Sequence, residues 1–157
     1  MSGLYKFLSL NTYDLSVGSS NNSIIVNKFV AHALICYESI FSHDALVRNP
    51  NVNFIVNVSN DGWFGNSLAP YQHLDSLVMR SLENQRFSIR SANTGISMVI
   101  DQFGNIQESL ELNQRGVIED IVIFPSEKIT FYVRYGDYLI YIMMIILLIV
   151  NQWMRHT

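Results

Sequence analysis

Apolar residues fall in short runs along most of the chain and gather into one unbroken block near its end. Ile24–Phe29 and Val30–Tyr37 predict two strands. The second, VAHALICY, is an apolar run suited to a strand covered on both faces. A short helix is expected to begin at Ser42 or His43 and to stop before Asn49-Pro50, because the residue ahead of a proline disfavours helix. Asn53–Ser59 (NFIVNVS) predicts a third strand, and SNDGWFGNSLAP from Ser59 to Pro70 a loop rich in turn formers and aromatics. Leu74, Leu77, Val78, Leu82 and Ile89 recur at helical spacing, predicting a helix from Tyr71 to about Arg90. Ser97–Asp101 predicts a strand, Phe103-Gly104-Asn105 a tight turn, Ile106–Leu110 its hairpin partner, and Gly116–Phe124 a further strand. Strands alternating with helices, then a hairpin, define an α/β layered domain.

The terminal block reads YLIYIMMIILLIV from Tyr138 to Val150, and no charge occurs from Tyr138 to Met154. At about 1.5 Å per residue this stretch spans roughly 25 Å, the short end of a membrane-crossing helix. Arg134 and Asp137 before it, and Trp153, Arg155 and His156 at its far end, are suitable interfacial flanks. A buried core helix is the alternative, and the lack of a polar face argues against it. The chain thus divides into a weakly patterned segment 1–23 with a loop at Ser19–Ser23, a domain over 24–124, a linker over 125–137 and a transmembrane helix over 138–154.

Composition narrows the partners. The 157 residues carry 10 basic and 13 acidic side chains, a formal net charge of −3, with no basic stripe, so nucleic acid is not an expected partner. A single cysteine excludes an internal disulfide framework and a cysteine-rich zinc site.

Cys36 closes an apolar strand and precedes Tyr37 and Glu38. A free cysteine in such a run is more often an inert buried residue than a nucleophile. Strand ends nonetheless favour nucleophiles, since a sharp turn lifts the side chain above the sheet edge. Glu38 is either solvated or held by partners. It could orient a base or a substrate amine, but a neighbouring anion cannot by itself activate a thiol. Trp63 and Phe64, in a loop bounded by Gly62 and Gly65, are either core plugs or a wall for an apolar substrate, and Asn60 and Asp61 can hold that loop's turn. Arg80, Glu83, Arg86 and Arg90 have the spacing of an ion-pair ladder on a helix surface. His73 reads as a capping or packing residue and Asn93-Thr94-Gly95 as an ordinary turn.

Read in order, ICYES around Cys36, NVSNDGWFG, PYQHLDSLVMRSLENQR, RSANTGISMVIDQFGNI and the terminal apolar helix resemble the apolipoprotein N-acyltransferase family, the membrane branch of the nitrilase (carbon–nitrogen hydrolase) superfamily. The likeness is continuous from about Ile35 to Asn105 and looser beyond. It implies part of a nitrilase-like αββα sandwich followed by one C-terminal transmembrane helix. It also implies an enzyme without cofactor or metal, in the bacterial inner membrane with its globular part facing the periplasm. There Cys36 would take an acyl chain from a phospholipid as a thioester and pass it to the N-terminal amine of a lipoprotein's diacylglyceryl-cysteine. The resemblance assigns Cys36, Tyr37 and Glu38 to the catalytic site and Trp63, Phe64 and Asn60 to substrate contact, with Arg80, Glu83, Arg90 and Asn93 as scaffold.

The resemblance also has a boundary. The family's triad is Glu–Lys–Cys, with the glutamate and lysine well ahead of the cysteine. Here the first glutamate is Glu38, and neither Lys6 nor Lys28 has the family context. The chain therefore resembles the last third of such an enzyme, is expected to be inactive alone, and is expected to present an incomplete core. Two further readings stand beside this one: a membrane-anchored remnant that needs a partner chain for the missing part, and a nitrilase-type amidase.

Overall fold

The computed structural model describes residues 22–156; the segment before Asn22, including most of the weakly patterned stretch and Lys6, lies outside them. The strands are β1 (Ser23–Val26), β2 (Phe29–Ile35), β3 (Phe54–Ser59), β4 (Ser88–Ala92), β5 (Ser97–Ile100) and β6 (Ile106–Leu110). They form a six-stranded sheet in the order β1-β2-β3-β4-β5-β6. β2, β3 and β4 run parallel, and β1, β5 and β6 add to the two sides as antiparallel hairpin partners. This is the α/β arrangement expected.

Helix α1 (Ala69–Asn84) crosses between β3 and β4 and packs Leu74 and Leu77 into one cluster with Leu34, Val52, Ile55, Met98 and Ile100. Pro70 sits in the helix's first turn, where its missing N–H costs nothing. The opposite face of the sheet, built on Ala31, Phe54, Phe87 and Val99, is covered by Ile118, Ile121 and Ile123. Both faces of β2 are therefore covered along most of its length, with Ile35 at its end left exposed.

Four expectations are corrected. The helix expected to reach Arg90 stops at Asn84, where Gln85 takes a left-handed conformation (φ 47°) and β4 begins three residues later. Arg86 and Arg90 then point inward rather than along a helix face, so of the expected ladder only Arg80–Glu83 forms, at 2.7 Å. Arg86 donates to the carbonyls of Val52, Asn84 and Lys128 instead. Gly116–Phe124 forms no strand: Asp120 is left-handed (φ 61°), which breaks the alternation, leaving Val117 and Val122 outside while Ile118, Ile121 and Ile123 face in. The stretch after Ser42 makes turns and no regular helix.

Within 125–137 a short helix, α2 (Phe131–Tyr135), is capped by Thr130, whose Oγ1 accepts from Val133 N–H at 3.0 Å. The same hydroxyl donates to the Glu83 carbonyl at 2.5 Å, tying this segment to α1. Helix α3 (Tyr138–His156) follows, and its apolar window Tyr138–Arg155 is long and apolar enough to cross a membrane, with none of it buried inside the fold.

Candidate active site around Cys36

The parallel strands β2, β3 and β4 end on the same edge of the sheet, where open α/β folds place their sites. Cys36 is the first residue beyond β2 and opens a 3-10 turn, Cys36–Ile40. Its φ is +50°. The other described non-glycine residues with positive φ are Asn22, Asn27, Asn113 and Asp120, whose side chains tolerate that region, and Gln85 at a helix end. Cys36 has no such excuse, and a left-handed residue of its kind costs about 1–3 kcal/mol unless its surroundings hold it there.

Those surroundings come from β3, the loop after it, α1 and β4. The Cys36 carbonyl accepts from Asn57 Nδ2 at 3.1 Å, from His73 Nε2 at 3.0 Å and from Ser39 Oγ at 3.4 Å. Behind them the Arg90 guanidinium forks: one arm donates to Asn57 Oδ1 and the other to Asp61 Oδ2, the latter at 2.6 Å. Asp61 Oδ1 in turn lies 3.1 Å from His73 Nδ1 and accepts from the Ser59 hydroxyl at 2.6 Å, and Ser59 Oγ lies 3.6 Å from Cys36 Sγ. Asn57, Asp61, His73 and Arg90 are all buried. Burial alone would push the Asp61 carboxyl up, but the Ser59 hydroxyl, Arg90 and His73 outweigh it and hold the group below the ordinary aspartate range.

His73 Nε2 faces only a carbonyl oxygen, so it must carry a proton. Nδ1 lies between Asp61 Oδ1 and Arg90 Nη2, each at 3.1 Å, and is satisfied either as donor to the first or as acceptor from the second. In both cases the donor at Cys36 is retained.

Glu38 reaches back over the turn, its Oε2 accepting from Ile35 N–H at 2.7 Å, so the carboxylate is held rather than free. Tyr37, half-exposed, lies with its ring 5.4 Å from that of His73 and 6.4 Å from that of Phe64. Tyr37, Phe64, His73, Ile40 and Gln72 line a small cavity of about 180 Å³ beside the elbow. Trp63 is 86 % exposed and plugs no core, and Phe64 is partly buried against the cavity. Asn60 Oδ1 accepts from Gly62 N–H and Asn93 Nδ2, so this side chain fastens its own loop to the turn after β4. Among the described residues no group of three His, Cys, Asp or Glu is placed to hold a metal ion.

The sequence located Cys36, Tyr37, Glu38 and Phe64 around one point but missed the clamp beneath it. The pattern presents Asn57 only as part of a strand, Asp61 as a turn former and His73 as a capping or packing residue, while Arg90 reads as a helix-surface charge that the resemblance assigns to scaffold. No sequence signal marks Asp61; only in the fold does Gly95 lie against it, where a Cβ would come within 2.1 Å of Asp61 Oδ2.

A strand-end cysteine on a strained turn over a mixed sheet is the layout of a nucleophile elbow. The family model for carbon–nitrogen hydrolases matches residues 9–126, and the chain belongs to that family. More particularly, it is 47 % identical over 104 residues to the apolipoprotein N-acyltransferase of Bradyrhizobium diazoefficiens, covering 66 % of this chain and 19 % of that one. To the enzyme of the same name from Geobacter metallireducens it is 40 % identical over 126 residues (79 % and 24 %), and to that from Pseudomonas paraeruginosa 34 % over 134 (85 % and 26 %). The chain thus spans about a fifth to a quarter of the length of these curated relatives. Among solved structures, a carbon–nitrogen hydrolase from Helicobacter pylori superposes with a TM-score of 0.56 at 10 % identity, covering 64 % of this chain and 43 % of that one. Nit3 of Saccharomyces cerevisiae, a nitrilase-superfamily member, gives 0.53 at 19 %, covering 64 % and 40 %. These two bear on the fold alone.

Proposed function

We propose that this chain is the nucleophile-bearing part of an apolipoprotein N-acyltransferase. The Cys36 thiolate attacks the ester carbonyl of a phospholipid; a C–S bond forms, the ester C–O bond breaks, and lysophospholipid leaves with a proton. The N-terminal amine of a lipoprotein's diacylglyceryl-cysteine then attacks the thioester, forming an amide and returning the thiolate, while the amine's proton passes to the same general base that gave one to the lysophospholipid. The observation that carries this reading is the left-handed turn at Cys36, set at the ends of parallel strands beside an aromatic cavity. Tyr37, Phe64 and the exposed Trp63 form the wall met by the acyl chain, Asn60 keeps their loop in place, and Glu38 orients the reacting groups. Helix α3 crosses the inner membrane with the domain on the periplasmic side.

A triad glutamate and lysine must come from sequence ahead of Cys36, where this chain holds no glutamate. Without a base and a cation the thiol loses nearly all of its rate, because such groups act as a unit. The 157 residues are therefore inactive by themselves. The test supplies a labelled phospholipid in detergent, first to this chain and then to a version preceded by a segment bearing the glutamate and lysine. A hydroxylamine-labile label on Cys36 is expected only in the second, and it disappears in Cys36→Ala. Label on the chain alone would refute its inactivity. None on the completed protein would refute acyl transfer.

A further inference from the structure

Cys36 adopts a backbone conformation that its side chain does not favour, and something must hold it there. The contacts that do so converge on one atom, its carbonyl oxygen. Asn57 reaches that oxygen from β3, but the same Nδ2 also donates to Leu34 O at 3.1 Å, so its hold is divided. Ser39 reaches it at 3.4 Å from within the turn itself, and so moves whenever the turn moves. His73 differs from both. It comes from a separate element, α1, its Nε2 has no other hydrogen-bond partner among the described residues, and it is 2 % exposed.

We infer that His73 is a positioning residue for Cys36, its Nε2–H fixing the carbonyl that keeps the cysteine in its left-handed turn with Sγ beside Ser59. The chain of contacts Arg90–Asp61–His73–Cys36 transmits the rigidity of β4 to the turn. Asp61 closes the loop from the other side, because Ser59 joins it to Sγ. One buried carboxylate thus governs both the carbonyl and the sulfur of the same residue. If the His73 donor is lost, the turn relaxes toward negative φ, which withdraws Sγ from the Ser59 hydroxyl and weakens the donors polarising the peptide after Cys36. His73 touches no reacting atom in this arrangement and acts only through Cys36.

This deepens the reading of Cys36 as an acyl-accepting thiol and rests on it, yet it is testable without acyl transfer. Cys36 is the chain's single cysteine, so alkylation by iodoacetamide reports on it alone. The full chain in detergent is compared with His73→Ala, His73→Gln and His73→Asn at one pH, with thermal unfolding measured in parallel. Glutamine places an amide N–H near the position of Nε2, while asparagine is one methylene too short. Alkylation is expected to slow about tenfold in the alanine and asparagine variants, the factor that 1.4 kcal/mol of lost strain support would give, and to recover to within about twofold in the glutamine variant. Folded alanine or asparagine variants that alkylate as fast as the original, or faster, overturn the inference. So does a glutamine variant as slow as asparagine. If alanine fails to fold, the glutamine–asparagine pair decides. If all three fail, His73 is a determinant of the fold and the inference falls. Failure of the thioester test above would leave this comparison standing, so the two ideas can fail separately.

Discussion

At Gly95 the absence of a side chain is a requirement of the site. A Cβ would lie 2.1 Å from Asp61 Oδ2 and 2.7 Å from its Cγ, and Asp61 cannot turn aside without leaving Arg90, His73 and Ser59. Gly95→Ala is expected to cost about 1–3 kcal/mol, as overpacking does, and to alter iodoacetamide reactivity at Cys36; an unchanged unfolding midpoint and thiol rate would contradict this. Asp61 itself gives a pH signature. Its folded pKa lies below the ordinary aspartate value of about 3.9, so the unfolded chain binds more protons in that window. The Asp61 contribution is complete above about pH 4 and is lost as pH falls through the folded pKa. Asp61→Asn strands the buried Arg90 charge and is expected to destabilise by about 3 kcal/mol near neutrality. The gap between the two proteins should narrow below pH 4, and a gap that stays constant in acid melts would sink the assignment.

On α1 the surviving ion pair makes a prediction of opposite kind. Arg80 is buried and Glu83 partly so, with side chains 8 % and 14 % exposed, yet among the described residues Arg80 Nε, Arg80 Nη1 and Glu83 Oε2 have no hydrogen-bond partner. Burial, with help from Asp137 and against the pull of Arg80, pushes the Glu83 carboxyl above its usual range. A pair held so incompletely contributes little net stability, whereas either charge left alone is costly. Glu83→Leu is expected to destabilise by about 3 kcal/mol, and adding Arg80→Met should restore most of it. A double variant no better than the single one in denaturant melts would argue that the pair is worth its desolvation. The same helix shows where sequence reading fails. Leu74, Leu77, Val78 and Leu82 mark it clearly, but Ile89 continues the period by coincidence while belonging to β4. What ends the helix is a left-handed Gln85 and two arginines that turn inward to carbonyls and side chains, neither of which a hydrophobic period records. The β2, β3 and β5 elements were legible because each is an apolar run closed by turn residues, and β6 because the Phe103-Gly104-Asn105 turn announces a hairpin partner for β5. The site was legible at Cys36–Glu38 and Phe64, and its supporting layer was not, since Asn57, Asp61, His73 and Arg90 come from four separate stretches joined only by the fold.

For the molecule as a whole, the terminal helix sets the behaviour in solution. Its 19 residues extend about 28 Å, and its apolar side chains lie open along their whole length. The chain is expected to stay with membranes through carbonate extraction and to be released when residues 138–157 are removed; release of the full chain would place α3 against protein instead. The six strands lie in the sheet in the order in which they occur in the chain, so each can be laid against the edge left by its predecessor during synthesis. Cys36 emerges ahead of Arg90: it follows β2, whereas Arg90, which secures both Asn57 and Asp61, belongs to β4. A nascent chain halted between these two points carries the thiol without the arginine that anchors its setting. The cysteine's final geometry is thus acquired only after β4 has been made, so the thiol exists before its setting does.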